Sequence, residues 1–357
     1  LLHHIASQQN QIKAQREELK QKQVEFETVT SGMKEGIILL NSKGEILSLN
    51  LAATKLLDAK LQYIGKDILS LNRSFSLQNV LNKAQKGEFA EAKIVLGGCE
   101  YQLDASPVKT EDTVSGVVLL IFDITEKEKA EQMRREFTAN VSHELKTPLH
   151  TISGCAELMK NNMVAARDIP SFAEKIYTES RRMLTLIEDI IKLSHLDEGA
   201  QDMQWETVNL YEIAKNTVRS LSDAAESAGV TLDVTGTDSE LYGIPQLLQG
   251  IVYNLCDNAI KYNVAGGSVS VDVHEEENSV VLTVSDTGIG IPPEHQERIF
   301  ERFYRVDKSH SKEVGGTGLG LSIVKHAAKL HNAKMTINSV VDAGTTIKVI
   351  FPKQEEK

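Results

Sequence analysis

The rhythm of apolar and polar positions divides the chain into successive textures. Residues 1–30 are rich in Gln, Glu and Lys, lack Gly and Pro, and set Ile5, Ile12, Leu19 and Phe26 at seven-residue intervals. The second seam of that repeat stays polar, which predicts a weak coiled coil or a signalling helix rather than a strong zipper. From 31 to 125 short apolar runs alternate with turn residues. Gly36–Asn41 and Glu45–Asn50, split by Ser42-Lys43-Gly44, predict a hairpin. Helices follow near Ala52–Leu57 and Leu77–Lys86, then strands over Ala92–Leu96, Glu100–Val108 and Ser115–Phe122, with Gly97-Gly98 turning the chain.

From 126 the period lengthens. Met133, Phe137, Val141, Leu145, Leu149, Ile152, Ala156, Met159 and Met163 share one face at about 100° per residue, and a second stripe runs through Phe172, Ile176, Met183, Ile187, Ile190 and Leu193 or Ser194. Pro170 suits the first turn of the second helix and Gly199 lies just past its end. Two long helices with a short connection make a hairpin whose stripes are too wide for one partner each. Pairing two hairpins about a two-fold axis would cover both, so a homodimeric four-helix bundle is expected.

His143 sits roughly opposite the centre of the first stripe, so packing does not explain it. Glu144 beside it is placed to orient the ring, and an imidazole with a pKa near ~6.5 is mostly neutral at pH 7 and hence nucleophilic. Pro148 withdraws a backbone donor one turn later and is expected to loosen the helix. His150 faces nearly the same way but lacks an adjacent Glu.

After Gly199 the texture is mixed α/β, with polar and Gly-rich clusters in order. Asn254, Asn258 and Lys261 can share a helix face beside Tyr262; the Asn258 carboxamide is a hard ligand suited to Mg²⁺, and Lys261 suits phosphate. Asp286-Thr287-Gly288-Ile289-Gly290 follows a strand, placing a carboxylate for an exocyclic amine beside glycines that admit a flat base. Phe300-Glu301-Arg302-Phe303-Tyr304-Arg305 offers guanidinium forks. Gly315-Gly316-Thr317-Gly318-Leu319-Gly320-Leu321 leads into a helix, a geometry suited to anions and to a moving lid.

Composition narrows the classes. With 357 residues, 41% hydrophobic and 25% charged, the chain has room for several packed domains. A net charge of −11 with no Lys/Arg block argues against a nucleic-acid groove. Cys99, Cys155 and Cys256 lack metal-ligand spacing and read as core thiols of a reducing compartment. No apolar run approaches the roughly 18 residues that cross a bilayer. Because residue 1 is Leu, the expectation is the cytoplasmic region of a longer, membrane-anchored parent.

The string Ser142-His143-Glu144-Leu145-Lys146-Thr147-Pro148-Leu149 resembles the H box of sensor histidine kinases, and the later clusters resemble their N, G1, F and G2 boxes, with Gly344-Thr345-Thr346 as the short Gly-Thr motif. Residues 31–125, closed by Asp123-Ile124-Thr125, resemble a PAS domain. The resemblance implies a multidomain α+β chain: a helix at 1–30, a PAS-like α/β domain at 31–125, a dimeric helical hairpin for phosphotransfer at 126–199, and a GHKL α/β sandwich binding ATP at 200–357. It implies ATP and Mg²⁺ as ligands, autophosphorylation of His143, transfer to an aspartate of a cognate response regulator, and a water-positioning phosphatase role for Thr147. By the same resemblance Asn254, Asn258 (the Mg²⁺ ligand), Lys261, Tyr262, Asp286, Gly288, Gly290, Arg302 or Arg305, Gly316, Thr317, Gly318, Leu319, Gly320 and Thr345 line the nucleotide.

No His lies between residues 5 and 142 and Cys99 lacks the Asn-Cys-Arg-Phe surroundings of a flavin sensor, so no haem or flavin is expected in the PAS-like part. Two other classes share the nucleotide boxes. A GHKL ATPase of the gyrase or mismatch-repair kind would carry Glu where this chain has Asn254, and a non-catalytic scaffold would have decayed boxes.

Overall fold

A computed structural model describes residues 21, 24, 28–57, 63–71, 73–111, 113–199, 203–306 and 316–353. The chain divides into two compact units, Leu1–Glu136 and Phe137–Lys357. Most of the expected helix at 1–30 lies outside the described residues.

The first unit holds β1 (Gly36–Asn41), β2 (Ile46–Leu49), α1 (Leu51–Leu56), α2 (Phe75–Gln85), β3 (Ala90–Leu96), β4 (Cys99–Thr110) and β5 (Thr113–Asp123). The strands form one antiparallel sheet in the order β2-β1-β5-β4-β3. In the first turn Asn41 Oδ1 accepts from the backbone N–H of Lys43 and of Glu45, both at 2.9 Å. Alternation along β1 turns Ile38 and Leu40 inward, where Leu77, Val80, Leu81 and Ala84 of α2 cover them together with Leu103, Leu119 and Ile121. Buried Asn50 makes three side-chain hydrogen bonds: Oδ1 accepts from Ile37 N and Ala53 N, capping α1, and Nδ2 donates to the Glu35 carbonyl. At the far end the Asp123 carboxylate takes the Thr125 N–H at 3.0 Å and its hydroxyl at 2.6 Å, and these bonds hold the Asp123 carboxyl below its usual range. That bond network starts α3 (Thr125–Lys160) directly from β5.

The second unit begins inside α3 and continues through α4 (Ile169–Asp197), β6 (Glu206–Asn209), α5 (Leu210–Ser227), β7 (Thr231–Gly236), β8 (Glu240–Gly243), α6 (Pro245–Lys261), β9 (Ser268–Glu276), β10 (Ser279–Asp286), α7 (Gly320–Leu330), β11 (Lys334–Val340) and β12 (Gly344–Pro352). The large sheet runs β11-β12-β10-β9-β7, antiparallel except for the β7–β9 pair, and β6 pairs with β8 in a small second sheet. Val269, Val271 and Val273 alternate inward along β9, against Leu248, Ile251, Val252 and Leu255 of α6. With Val280, Leu282, Val349 and Phe351 from the neighbouring strands they form one core between sheet and helices.

The hairpin departs from its expected stripes. Along α3 only Pro148 and Cys155 are buried, while Met133 and Ala156, and Met163 beyond its end, are exposed. The helix also runs unbroken through Pro148, with the Thr147 hydroxyl bonded to the His143 carbonyl at 3.2 Å and that of Thr151 to the Thr147 carbonyl at 3.3 Å. On α4 the buried residues are Leu186, Leu193 and Leu196, and they join the core of the nucleotide-box region; Ile187 and Ser194 face outward. Of the three cysteines, Cys155 and Cys256 are buried as expected, but Cys99 at the β3–β4 turn is only partly covered. Burial pushes the Cys256 thiol up to about 12.

Candidate functional site

His143 stands out from α3 with 82% of its side chain exposed. Its Nδ1 lies 4.0 Å from Glu144 Oε1, beyond hydrogen-bond length, while Glu144 Oε2 approaches Arg182 Nη2 of α4 at 3.5 Å. The carboxylate therefore lies between a guanidinium on the neighbouring helix and the exposed ring, bonded only to the former. Thr147 sits one turn on, its hydroxyl turned back to the His143 carbonyl.

The boxes expected to bind nucleotide converge around the C-terminal end of α6. Asn254 Nδ2 donates to the Gly250 carbonyl at 2.8 Å, and a Cβ on Gly320 would come within 2.6 Å of Asn254 Oδ1, so the start of α7 needs a glycine to pack there. The Asn258 carboxamide makes no side-chain hydrogen bond among the described residues. Lys261 pairs with Asp257 at 2.6 Å, and Tyr262, beside it, accepts the Ile289 N–H on its carbonyl at 3.1 Å. That last bond ties α6 to the loop after β10.

Asp286 ends β10. Its Oδ1 accepts from Gly288 N at 2.8 Å and Thr345 N at 3.2 Å, leaving Oδ2 without a hydrogen bond among the described residues. Burial raises the carboxyl above its usual range and the two backbone donors oppose the rise. A Cβ on Gly288 would meet the Tyr262 carbonyl at 2.3 Å, so this loop passes the helix end only as glycine. Gly290, at φ +66°, lies against the Val340 backbone. The Thr345 hydroxyl is bonded to Ser339 Oγ at 2.8 Å, which fixes the N–H that reaches Asp286.

The F and G2 boxes are pinned to each other. Phe303 adopts φ +63°, a strained conformation for a bulky residue, and its N–H bonds to the Gly318 carbonyl at 2.9 Å. Gly315 lies outside the described residues; Gly316 faces the Tyr262 hydroxyl, and fully buried Leu319 enters α7. Two residues expected to line the nucleotide are engaged elsewhere. Arg302 Nη2 donates to Asp197 Oδ1 of α4 at 2.6 Å and to His326 Nε2 at 3.0 Å, and the Thr317 hydroxyl donates to Asp189 Oδ2 at 2.8 Å. Burial raises the Asp189 carboxyl, with the Thr317 hydroxyl opposing. Arg305 is partly buried, its Nη2 has no hydrogen-bond partner among the described residues, and burial lowers its pKa against the raising influence of the Glu144 carboxylate.

Arg182, Asp189, Asp197 and His326 were not legible as site residues, because an acidic or basic position on an exposed helix face looks solvated. The bonds that recruit Thr317 and Arg302 span 128 and 105 residues of sequence, so no local pattern announces them.

Two families match this part of the chain: "His Kinase A (phospho-acceptor) domain" over residues 133–199 and "Histidine kinase-, DNA gyrase B-, and HSP90-like ATPase" over residues 243–355. The sensor-like histidine kinase SenX3 of Mycolicibacterium smegmatis is 34% identical over 283 residues, covering 74% of each chain. The chain belongs to the sensor histidine kinases. The sensor protein kinase WalK of Staphylococcus aureus is 30% identical over 338 residues, covering 92% of this histidine-kinase chain and 80% of that protein. The sensor histidine kinase WalK of Bacillus subtilis is 33% identical over 340 residues, covering 92% of this chain and 55% of its own, so the chain spans about half of that relative's length. Among solved structures, Acinetobacter baumannii histidine kinase AdeS aligns with a TM-score of 0.51 at 18% identity, over 60% of this chain and 98% of that one. Histidine kinase ThkA, in complex with response regulator protein TrrA, aligns with a TM-score of 0.50 at 21% identity, over 92% of this chain and 98% of that one. These two likenesses concern the fold.

Proposed function

We propose that the chain is an ATP-dependent protein-histidine kinase that phosphorylates His143 and passes the group to an aspartate of a response regulator. The observation that carries the reading is His143 itself, an exposed ring beside the Glu144 carboxylate on a helix whose Phe137 meets Phe303 of the nucleotide boxes at 5.7 Å between ring centroids. The residues present fit an adenine nucleotide with magnesium: Oδ2 of Asp286 is open for an exocyclic amine, Gly288 lets the loop that carries it pack against the end of α6, Asn258 offers a carboxamide oxygen unused among the described residues, and Arg305 carries an N–H without a partner among them. Bound Mg²⁺ would supply charge neutralisation at the phosphates.

In the reaction the neutral His143 ring attacks with Nε2, its Nδ1–H directed at Glu144. A P–N bond forms to the γ-phosphorus, the P–O bond to ADP breaks, and the Nδ1 proton passes to Glu144. Arg305 offsets charge on the transferring group, and Asn254 with Gly320 holds the packing between α6 and α7. In the subsequent relay the P–N bond is exchanged for an acyl phosphate on the regulator's aspartate. Thr147, one turn from His143, positions a water for removal of that acyl phosphate.

The same proposal includes a homodimer. Leu149, Leu184, Ile187 and Ile191 leave the hairpin with an exposed apolar face, which a second copy would cover about a two-fold axis. It takes residues 31–125 as a PAS-like relay module without haem or flavin, supported by the five-stranded sheet backed by α2. It places 126–199 as the phosphotransfer hairpin and 200–357 as the ATP-binding domain, in the cytoplasmic part of a membrane-anchored sensor. Among the described residues no helix is long and apolar enough to cross a membrane.

Incubation with ATP labelled at the γ-phosphate tests the reading. Acid-labile, alkali-stable label on the protein, lost in His143→Gln, supports it. Free phosphate without protein label would instead indicate a GHKL ATPase, and retention of label in His143→Gln would move the acceptor, with His150 the first position to map.

A further inference from the structure

An exposed imidazole takes no orientation from packing, and 82% of the His143 side chain is exposed. The carboxylate that can orient it, Glu144, sits on the next position of the same helix. A glutamate on a helix surface has three rotatable bonds, and water leaves them unrestrained. Such a group serves a ring nitrogen well only when a third group holds it in place.

Arg182 supplies that hold from α4. Its Nη2 donates to Glu144 Oε2 at 3.5 Å, across 38 positions of sequence. The other oxygen, Oε1, is the one that lies 4.0 Å from His143 Nδ1. The carboxylate thus divides its two oxygens between a guanidinium and an imidazole. Both members of the ion pair are partly shielded, with 21% of the Arg182 side chain and 30% of the Glu144 side chain exposed, so water and salt screen it less than a surface pair. Of the two consecutive arginines, Arg181 is exposed and Arg182 is the one that reaches α3. The Thr147 hydroxyl, one turn on, is bonded to the His143 carbonyl rather than to the carboxylate. Closing the gap between Oε1 and Nδ1 to the ~2.9 Å of a hydrogen bond can come from the exposed ring, while Oε2 stays on Arg182.

We propose that Arg182 is a positioning residue for the kinase reaction: by holding Glu144 through Oε2 it keeps Oε1 available to the His143 Nδ1–H, so that Nε2 is the nitrogen presented to the γ-phosphorus. The proposal rests on the kinase reading above and extends it to a residue outside the motif around His143. Arg182 acts through Glu144 rather than on the reacting atoms. The contact uses a single N–H, which a lysine ammonium also offers.

A double-mutant cycle on the full chain, read as the rate of labelling from γ-labelled ATP, provides the test. At saturating ATP, Arg182→Gln should lower the rate about tenfold with KM for ATP changed by less than about twofold, and Arg182→Lys should run at least about threefold faster than the glutamine variant. Glu144→Gln keeps an amide oxygen as a weaker acceptor and so leaves a residual rate. In that background Arg182→Gln should cost less than about twofold, because the group it holds has lost its charge. A residue that merely supports the hairpin would slow both backgrounds alike. Equal losses in the two backgrounds, an unchanged or faster rate in Arg182→Gln, or an Arg182→Lys variant no faster than the glutamine one would each overturn the proposal. Far-UV ellipticity and sedimentation equal to wild type show that the rate, not folding, is being read; should either fall, Arg182→Met, which keeps the apolar stem, is taken through the same cycle. Absence of label in the wild-type chain would instead fail the kinase reading.

Discussion

Helices α3 and α6 make opposite use of their length. In 36 residues α3 buries only Pro148 and Cys155, whereas α6 buries eight side chains in 17 residues. The sheet lies under α6 and helices α5 and α7 flank it, so its apolar face is satisfied by its own chain. The apolar positions of α3 and α4 meet the nucleotide domain at a few points and otherwise stay exposed. On the proposed reading, the self-sufficient domain would hold the nucleotide and the hairpin with exposed apolar positions would hold the acceptor. Chemistry that depends on two parts meeting is then controlled by which partner the hairpin accepts.

Substitutions can break or sharpen this contrast. The largest loss of stability is expected for Leu248→Ala, at a position with no exposure, where a cavity costs about 3 kcal/mol in denaturant unfolding. Trp205, the only tryptophan, packs on Tyr242 and His331 and reports that transition by fluorescence. Gly344→Ala comes next, at about 2 kcal/mol: φ is +105° and a Cβ would sit 1.9 Å from the Asp286 carbonyl. The same change displaces the Thr345 N–H from Asp286, so nucleotide affinity should fall about tenfold by titration calorimetry.

The third effect depends on pH. His331 is 2% exposed, donates from Nδ1 to the Ala327 carbonyl and accepts the Ile244 N–H on Nε2 at 3.0 Å, and burial lowers its pKa. The folded ring stays neutral below the ~6.5 at which the unfolded one takes up a proton. Its contribution is therefore complete above the unfolded pKa and is lost as pH falls, at up to about 1.4 kcal/mol per pH unit, until the folded pKa is reached. Unfolding followed through Trp205 between pH 7 and pH 5 should show this slope, and His331→Gln should flatten it. Asn209→Ala, removing the side chain that caps α5 at Tyr211 and Glu212, should cost about 1 kcal/mol. Smallest is Leu149→Gln on α3, at 51% exposure: less than about 0.5 kcal/mol by the Trp205 readout, with its main effect on dimer affinity by sedimentation.

Much of the fold was visible in the order of residues, because each signal was local. The Gly36–Asn50 hairpin follows from alternation and one glycine turn, α4 from Pro170 and Gly199, and β10 into Asp286 from an apolar run ending in a Gly-rich loop. The small β6–β8 sheet was not legible, since each strand has only four residues and their pairing is non-local. His331 looked like any helix-end polar residue; only the tertiary contacts with Ile244 and Trp205 explain it. For the site, the residue types were readable, but which arginine stays available was not. Arg302 and Arg305 are three positions apart, and what engages Arg302 is Asp197 and His326, which belong to other elements.

The most direct measurement is to locate the phosphoryl group itself. After reaction with magnesium and ATP, peptide mapping by mass spectrometry at alkaline pH should find one phosphoramidate, on the peptide containing His143, in a protein whose Trp205 fluorescence is that of the folded chain. A folded protein that binds ATP yet carries no phosphoramidate, or carries it on a peptide without His143, would contradict the account.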